Sequence, residues 1–185
     1  MTNLVATLSL MLQALEPSVA ADRADAIASD MAEVVEAEKI NDTGLDTVTS
    51  LAMMAGAVVV ESGLMESIEK CKASGDGGKS IGLGQVMRGT NWEGHTKKEI
   101  CSDRKLQLKL SLHVLQRCVE TKPATDAVFR CYTSGSPNVG SYTARREHKA
   151  FMKVKTALVE AVRSGTQTPV NSVCTFASVV RPVSE

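Results

Sequence analysis

The stretch Ala52-Met53-Met54-Ala55-Gly56-Ala57-Val58-Val59-Val60-Glu61-Ser62-Gly63 decides how this chain reads. Asp46 or Thr47 supplies a start signal, Leu51, Met54, Ala55 and Val58 fall on one helical face, and Gly63 is placed to end the run. The result is a central helix that carries Glu61 into the interior at its C-terminal end. Burial against the valines and the negative end of a helix dipole both disfavour a charged carboxylate, so its pKa is expected to rise. That is what a general acid working near neutral pH needs.

Upstream, Leu4 to Leu15 is apolar-rich and Ser18-Val19-Ala20 has the form of a small-residue cleavage site. No Lys or Arg precedes the apolar stretch and Gln13 interrupts it, so an ordinary first helix is the better reading than a secretory leader. Asp22 looks like an N-cap for a second helix, whose apolar positions Ala24, Ile27, Met31, Val34 and Val35 run toward Lys39; Asn41-Asp42-Thr43-Gly44 stops it. Seven glycines lie between Ser74 and Gly94. At roughly 1 kcal/mol each they are incompatible with a helix, and the alternation of Ile81, Leu83 and Val86 fits a small irregular β-hairpin.

Asp103 can cap a long helix with two apolar rows, Leu106, Leu110, Val114 and Leu108, Leu112, Leu115, Val119. Pro123 begins a shorter helix reaching Tyr132, which Gly135-Ser136-Pro137-Asn138 breaks. Ala144 to Arg163, with Phe151, Val154, Leu158 and Ala161 on one side, is a final amphipathic helix ended by Gly165. The tail to Glu185, with Pro169 and Pro182, reads as a surface strap.

At 185 residues the chain suits one domain: N-terminal helices over 1–45, a core over 46–142, and a C-terminal helix and tail over 143–185. Lys+Arg and Asp+Glu balance at 21 each, and aromatics make up only 3%. Neither a basic field nor stacking platforms argue for nucleic acid. No run approaches the ~18 apolar residues that span a bilayer. The five cysteines, Cys71, Cys101, Cys118, Cys131 and Cys174, show no zinc spacing, and no metal or cofactor is expected. Four of them can form two bridges in an oxidising compartment, or all can stay reduced and buried. Cys101 and Cys118, near opposite ends of one predicted helix and roughly 25 Å apart, cannot pair with each other.

Glu61-Ser62-Gly63, then Gly82-Leu83-Gly84-Gln85, then Cys131-Tyr132-Thr133-Ser134-Gly135 resemble, in order, the Glu-Ser, Gly-Leu-Met-Gln and Ala-Tyr-Asn-Ala-Gly blocks of the lysozyme-like lytic transglycosylases and goose-type lysozymes. Gly84 stands in for Met, and the third block keeps only its Tyr and final Gly. The resemblance covers roughly Leu51 to Tyr142. It implies a mostly α, α+β lysozyme-like domain in which the hairpin layer forms one wall of a cleft. The implied activity is that of a muramidase or lytic transglycosylase, a glycosidase cutting the β-1,4 bond between N-acetylmuramic acid and N-acetylglucosamine in peptidoglycan. Glu61 is the implied acid/base.

Gln85 and Tyr132 are implied to contact substrate, Gln85 meeting the sugar near the acid and Tyr132 aiming its hydroxyl at the catalytic carboxyl or the N-acetyl group. Ser62 joins this set as a helix-end hydrogen bonder that orients Glu61, since no His falls in a Ser-His arrangement. Asp76 stands nine residues before Gln85, as an Asp does before the Gln of goose-type enzymes. There it implies a second catalytic carboxylate that steers water; a turn aspartate is the alternative. The family's further Asp, two residues after Gln, is Met87 here, which favours a transglycosylase working through Glu61 alone.

Trp92 and Tyr142 are candidates for stacking on sugar faces or for core or rim packing. Glu66, Glu69, Glu93 and Glu99 read as ordinary solvated carboxylates. With no convincing leader, the resemblance points to a phage product such as an endolysin, virion-carried or released with help, that acts on the cell wall.

Two other function classes stand beside this reading. One is a non-catalytic glycan-binding or structural protein of the same fold. The other is a nucleotide-binding protein, because Ala73-Ser74-Gly75-Asp76-Gly77-Gly78-Lys79-Ser80 satisfies a loosened phosphate-loop pattern. That mechanism needs a buried strand before the loop and a helix after it, whereas charged Glu66, Glu69, Lys70 and Lys72 precede it and Ile81-Gly82-Leu83-Gly84 follows.

Overall fold

The structure, a computed structural model, describes residues 2–38, 45–73, 77–121, 125–135 and 141–164. They form α1 (Thr2–Leu15), α2 (Ala21–Ala37), α3 (Thr47–Ser62), α4 (Glu66–Glu69), β1 (Ser80–Ile81), β2 (Val86–Met87), α5 (Lys97–Ser102), α6 (Arg104–Thr121), α7 (Thr125–Ser134) and α8 (Tyr142–Arg163). The fold is mostly helical with one two-stranded antiparallel hairpin, Ser80 opposite Met87 and Ile81 opposite Val86. Among the described residues no helix is long and apolar enough to cross a membrane.

Helix α3 begins where Asp46 accepts a hydrogen bond from the Thr49 N–H at 2.7 Å, and ends at Gly63 in the left-handed region, φ 53°. Its apolar surface wraps most of the way round, as befits a helix surrounded by protein. Helix α8 lies closest against it. Gly56 makes that approach possible: a Cβ there would sit 2.8 Å from the Glu147 carbonyl oxygen and 3.0 Å from the Phe151 nitrogen. Gly56→Ala should therefore destabilise the fold by about 1–3 kcal/mol through overpacking, despite a helix-propensity gain of roughly 1 kcal/mol. Urea denaturation measures the balance, and a more stable variant would show that the helices separate freely.

Asp22 does not cap α2. Ala20 occupies the N-cap without a side-chain bond, and Asp22 sits inside the first turn, near the positive end of the helix dipole. The reach of α2 to Lys39 and its stop at 41–44, Pro123, the break after Gly135 at 136–138, Gly165 and the tail lie outside the described residues.

Asp103 does cap α6, accepting from the Leu106 N–H at 3.0 Å. The two apolar rows of α6 serve two different cores. Leu108, Leu112 and Leu115 join the main core with α1, α2, α3 and α8, while Leu106, Leu110 and Val114 pack with Ile81, Val86, Trp92 and Ile100 beneath the hairpin. Two short helices escaped the sequence reading. Helix α5 carries a legible signal, the capping box of Thr96 and Glu99, whose side chains each bond the other's backbone N–H. The four residues of α4 are too few to show a period.

Glu69, read as solvated, is 3% exposed and bridges Arg23 and Arg104. Its partners come from α2 and α6, so only the tertiary fold makes its burial tolerable. Gln107 completes this joint: its amide donates to the Glu69 and Ile100 carbonyls, and its oxygen accepts from the Leu83 N–H, each at 2.8 Å. The hairpin is thereby fastened to α4, α5 and α6.

Disulfides join Cys71 to Cys101 and Cys118 to Cys131. Closing loops of 30 and 13 residues, they stabilise the fold by about 4 and about 3 kcal/mol in the chain-entropy account. Cys174 lies outside the described residues.

Candidate functional site

A cleft of about 810 Å³ opens at the C-terminal end of α3. Glu61 lines it. The hairpin contributes Ser80, Gln85, Val86 and Met87, α6 contributes Val114, Arg117 and Cys118, α7 contributes Cys131 to Ser134, and Ser141 and Thr143 close the far end. The volume lies within the range of ligand sites. The structure thus brings Glu61, Gln85 and Tyr132 to one cavity, although their codons of sequence are far apart.

The hairpin turn is shaped by position-specific backbone. Gly82, at φ 75°, has Gln107 where a Cβ would be, and Gln85 adopts φ 46°, unusual for a residue with a side chain. The Gln85 amide donates to the Gly82 carbonyl at 2.9 Å, which holds the side chain over the turn at the cleft wall. Gly84 answers a question raised by its place in the Gly-Leu-Gly-Gln block. A Cβ there would meet the Ser111 Oγ at 1.8 Å and the Tyr132 hydroxyl at 2.7 Å, so no side chain fits.

Tyr132 donates its hydroxyl to the Gly84 carbonyl at 2.7 Å, tying α7 to the hairpin. The resemblance implied a hydroxyl aimed at a carboxyl or an N-acetyl group; here its proton is held by backbone. Burial pushes this phenol above its ordinary range, and the nearby Glu61 and Glu147 charges push the same way, so it stays protonated.

Ser62 leaves the substrate-contacting set. It is 1% exposed, its hydroxyl donates to the Val58 carbonyl at 2.7 Å, and the same oxygen accepts from the Leu64 N–H at 3.1 Å. It finishes the helix and so fixes the position of its neighbour Glu61. Asp76 lies outside the described residues. Trp92 is buried in the second core with its indole N–H on the Val86 carbonyl, so it is no sugar platform. Tyr142, 71% exposed, stands beside the cleft's Ser141 and Thr143. The loosened phosphate-loop stretch leads from Lys79 into β1 instead of a helix.

Sequence reasoning missed Glu147. It is 0% exposed on α8, and its carboxyl faces that of Glu61. Burial is the main cause that raises its pKa, with the like charge and hydrogen bonding of Glu61 adding to it, up to about 10. Neither Glu147 oxygen makes a hydrogen bond of good geometry. The signal was legible: Ala144, Glu147, Phe151, Val154 and Leu158 follow one helical face, so a carboxyl sits in the middle of an apolar stripe. Burial, and then the facing carboxyl of Glu61, disfavour ionisation of Glu147, so the pair retains a proton through neutral pH. Glu61 is the member that lines the cleft.

No protein-family model, curated protein or solved structure matches this chain.

Proposed function

We propose that the chain cleaves peptidoglycan glycan strands at the β-1,4 bond between N-acetylmuramic acid and N-acetylglucosamine, with Glu61 as general acid and then base. The observation that carries this reading is the Glu61–Glu147 pair: a cleft-lining carboxyl backed by a second, fully buried one, an arrangement that favours keeping one proton on the pair at neutral pH. A glycosidic oxygen seated over Glu61 would receive that proton as its bond to the anomeric carbon breaks. Glu147 does not touch the substrate; it is a positioning residue that acts through Glu61. Gln85 forms the wall beside the acid, and Tyr132 keeps that wall in place through Gly84. The two disulfides fit an enzyme that works outside a reducing cytoplasm.

Of the two peptidoglycan chemistries we favour the transglycosylase route, in which Glu61 protonates the leaving oxygen and then takes the proton of the muramoyl 6-hydroxyl as it attacks the anomeric carbon. Mass spectrometry of digested cell walls is expected to find 1,6-anhydromuramoyl ends, and Asp76→Asn is expected to keep most of the activity. Reducing ends together with a loss of roughly 10²–10⁴-fold in Asp76→Asn would assign a water-activating base to Asp76 and a hydrolase to the chain. Intact walls would leave a glycan-binding protein.

A further inference from the structure

A second pocket, of about 190 Å³, adjoins the cleft between α7 and α8. Asp126, Arg130, Ser141, Ala144, Arg145 and His148 line it, and Ser141 belongs to both cavities. A group attached to a sugar bound near Ser141 would therefore lie beside this pocket. The volume admits a short acidic branch.

The pocket's donors outnumber its acceptors. Arg130 is fixed by an ion pair of one terminal nitrogen with Asp126 at 3.0 Å. Its Nε is buried out of reach of water and has no hydrogen-bond partner, so the part of Arg130 that a ligand can meet is the terminal guanidinium. Arg145 makes no side-chain ion pair or hydrogen bond among the described residues. With Asp126 offsetting one guanidinium, a net positive charge remains. His148 packs against both the Phe129 and Phe151 rings, which also touch each other, with its centroid 6.1 Å from each, so this part of the pocket wall is held by ring packing. Two guanidinium groups lining one small cavity match a carboxylate, which accepts in the plane of such donors.

We propose that this pocket is a subsite for a carboxylate of the peptide stem carried by the muramoyl unit. The assignment rests on the peptidoglycan reading of the cleft and gives it a substrate preference: strands that still bear their peptides.

The test compares kcat/KM on glycan strands with intact stems and on the same strands stripped of peptide by an amidase. The wild-type protein is expected to favour the peptide-bearing strands by about tenfold, the scale of one charge-assisted hydrogen bond, through KM. Arg145→Ala, and separately Arg130→Lys, which keeps a charge opposite Asp126 but removes the planar guanidinium fork, should each shrink this preference and leave cleavage of stripped strands unchanged. Equal cleavage of both strands by the wild type would overturn the subsite and leave the Glu61 reading standing. A preference that survives both substitutions would also overturn it, placing peptide recognition elsewhere. Failure to cleave either strand would remove the glycosidase reading and the subsite with it.

Discussion

Glu61→Gln should abolish the lysis of purified cell walls, with a loss of at least ~10²–10⁴-fold, the contribution of a positioned acid or base. The amide keeps the shape of the side chain but has no proton to give at the required acidity and cannot take one back. The fold should survive. Glu61 lines the cleft, and its charge is one of the causes that disfavour ionisation of Glu147, so the variant should be at least as stable as the wild type. Turbidity loss of walls, read beside far-UV circular dichroism and urea denaturation, separates the two effects. Lysis at the wild-type rate would exclude Glu61 as the acid. A wild-type protein that binds walls without cutting them, and a variant that binds equally, would favour the non-catalytic relative of the same fold.

Glu147→Gln is expected to have the largest effect on stability, and the effect should depend on pH. In the unfolded chain this carboxyl ionises near its ordinary value of 4.5, whereas in the fold burial, and secondarily Glu61, raise it to about 10. Between these values the folded protein binds a proton that the unfolded chain does not, so stability is greatest on the acid side and declines as pH rises from about 5 toward 10. The slope is about 1.4 kcal/mol per pH unit, which amounts to about 3 kcal/mol at pH 7. Gln removes the titrating group and with it this loss. Urea unfolding at pH 5, 7 and 8.5 should therefore show a variant similar to the wild type at pH 5 and more stable by about 3 kcal/mol at pH 7. Parallel pH dependences would mean that Glu147 does not retain its proton. Activity supplies a readout that a purely structural role would not move. Without mutual repulsion to keep a proton on the pair, the alkaline limb of the rate profile should shift to lower pH.

These two carboxyls also mark the boundary between what the chain's order of residues reveals and what folding adds. The central helix was legible from Asp46, the apolar run and Gly63, because N-caps, left-handed C-terminal glycines and burial are local or periodic properties. The hairpin was legible from its glycines, the long helix from Asp103 and its two leucine rows. Glu61 stood out because a carboxyl directly after such a run must end near the interior.

Tertiary structure alone decided the rest. Periodicity places Glu147 on an apolar face but does not say that this face meets the end of α3, since partner choice depends on the close approach at Gly56. Glu69 and Glu66 look alike in sequence, yet one is buried between two arginines and the other is exposed, because the arginines arrive from helices distant along the chain. The two rows of α6 carry no mark of serving separate cores, and the pairing of Cys118 with Cys131 follows from the packing of α6 on α7. Local chemistry fixed where helices start, stop and turn an apolar side inward; long-range packing fixed which carboxyls meet, and so where a proton is kept.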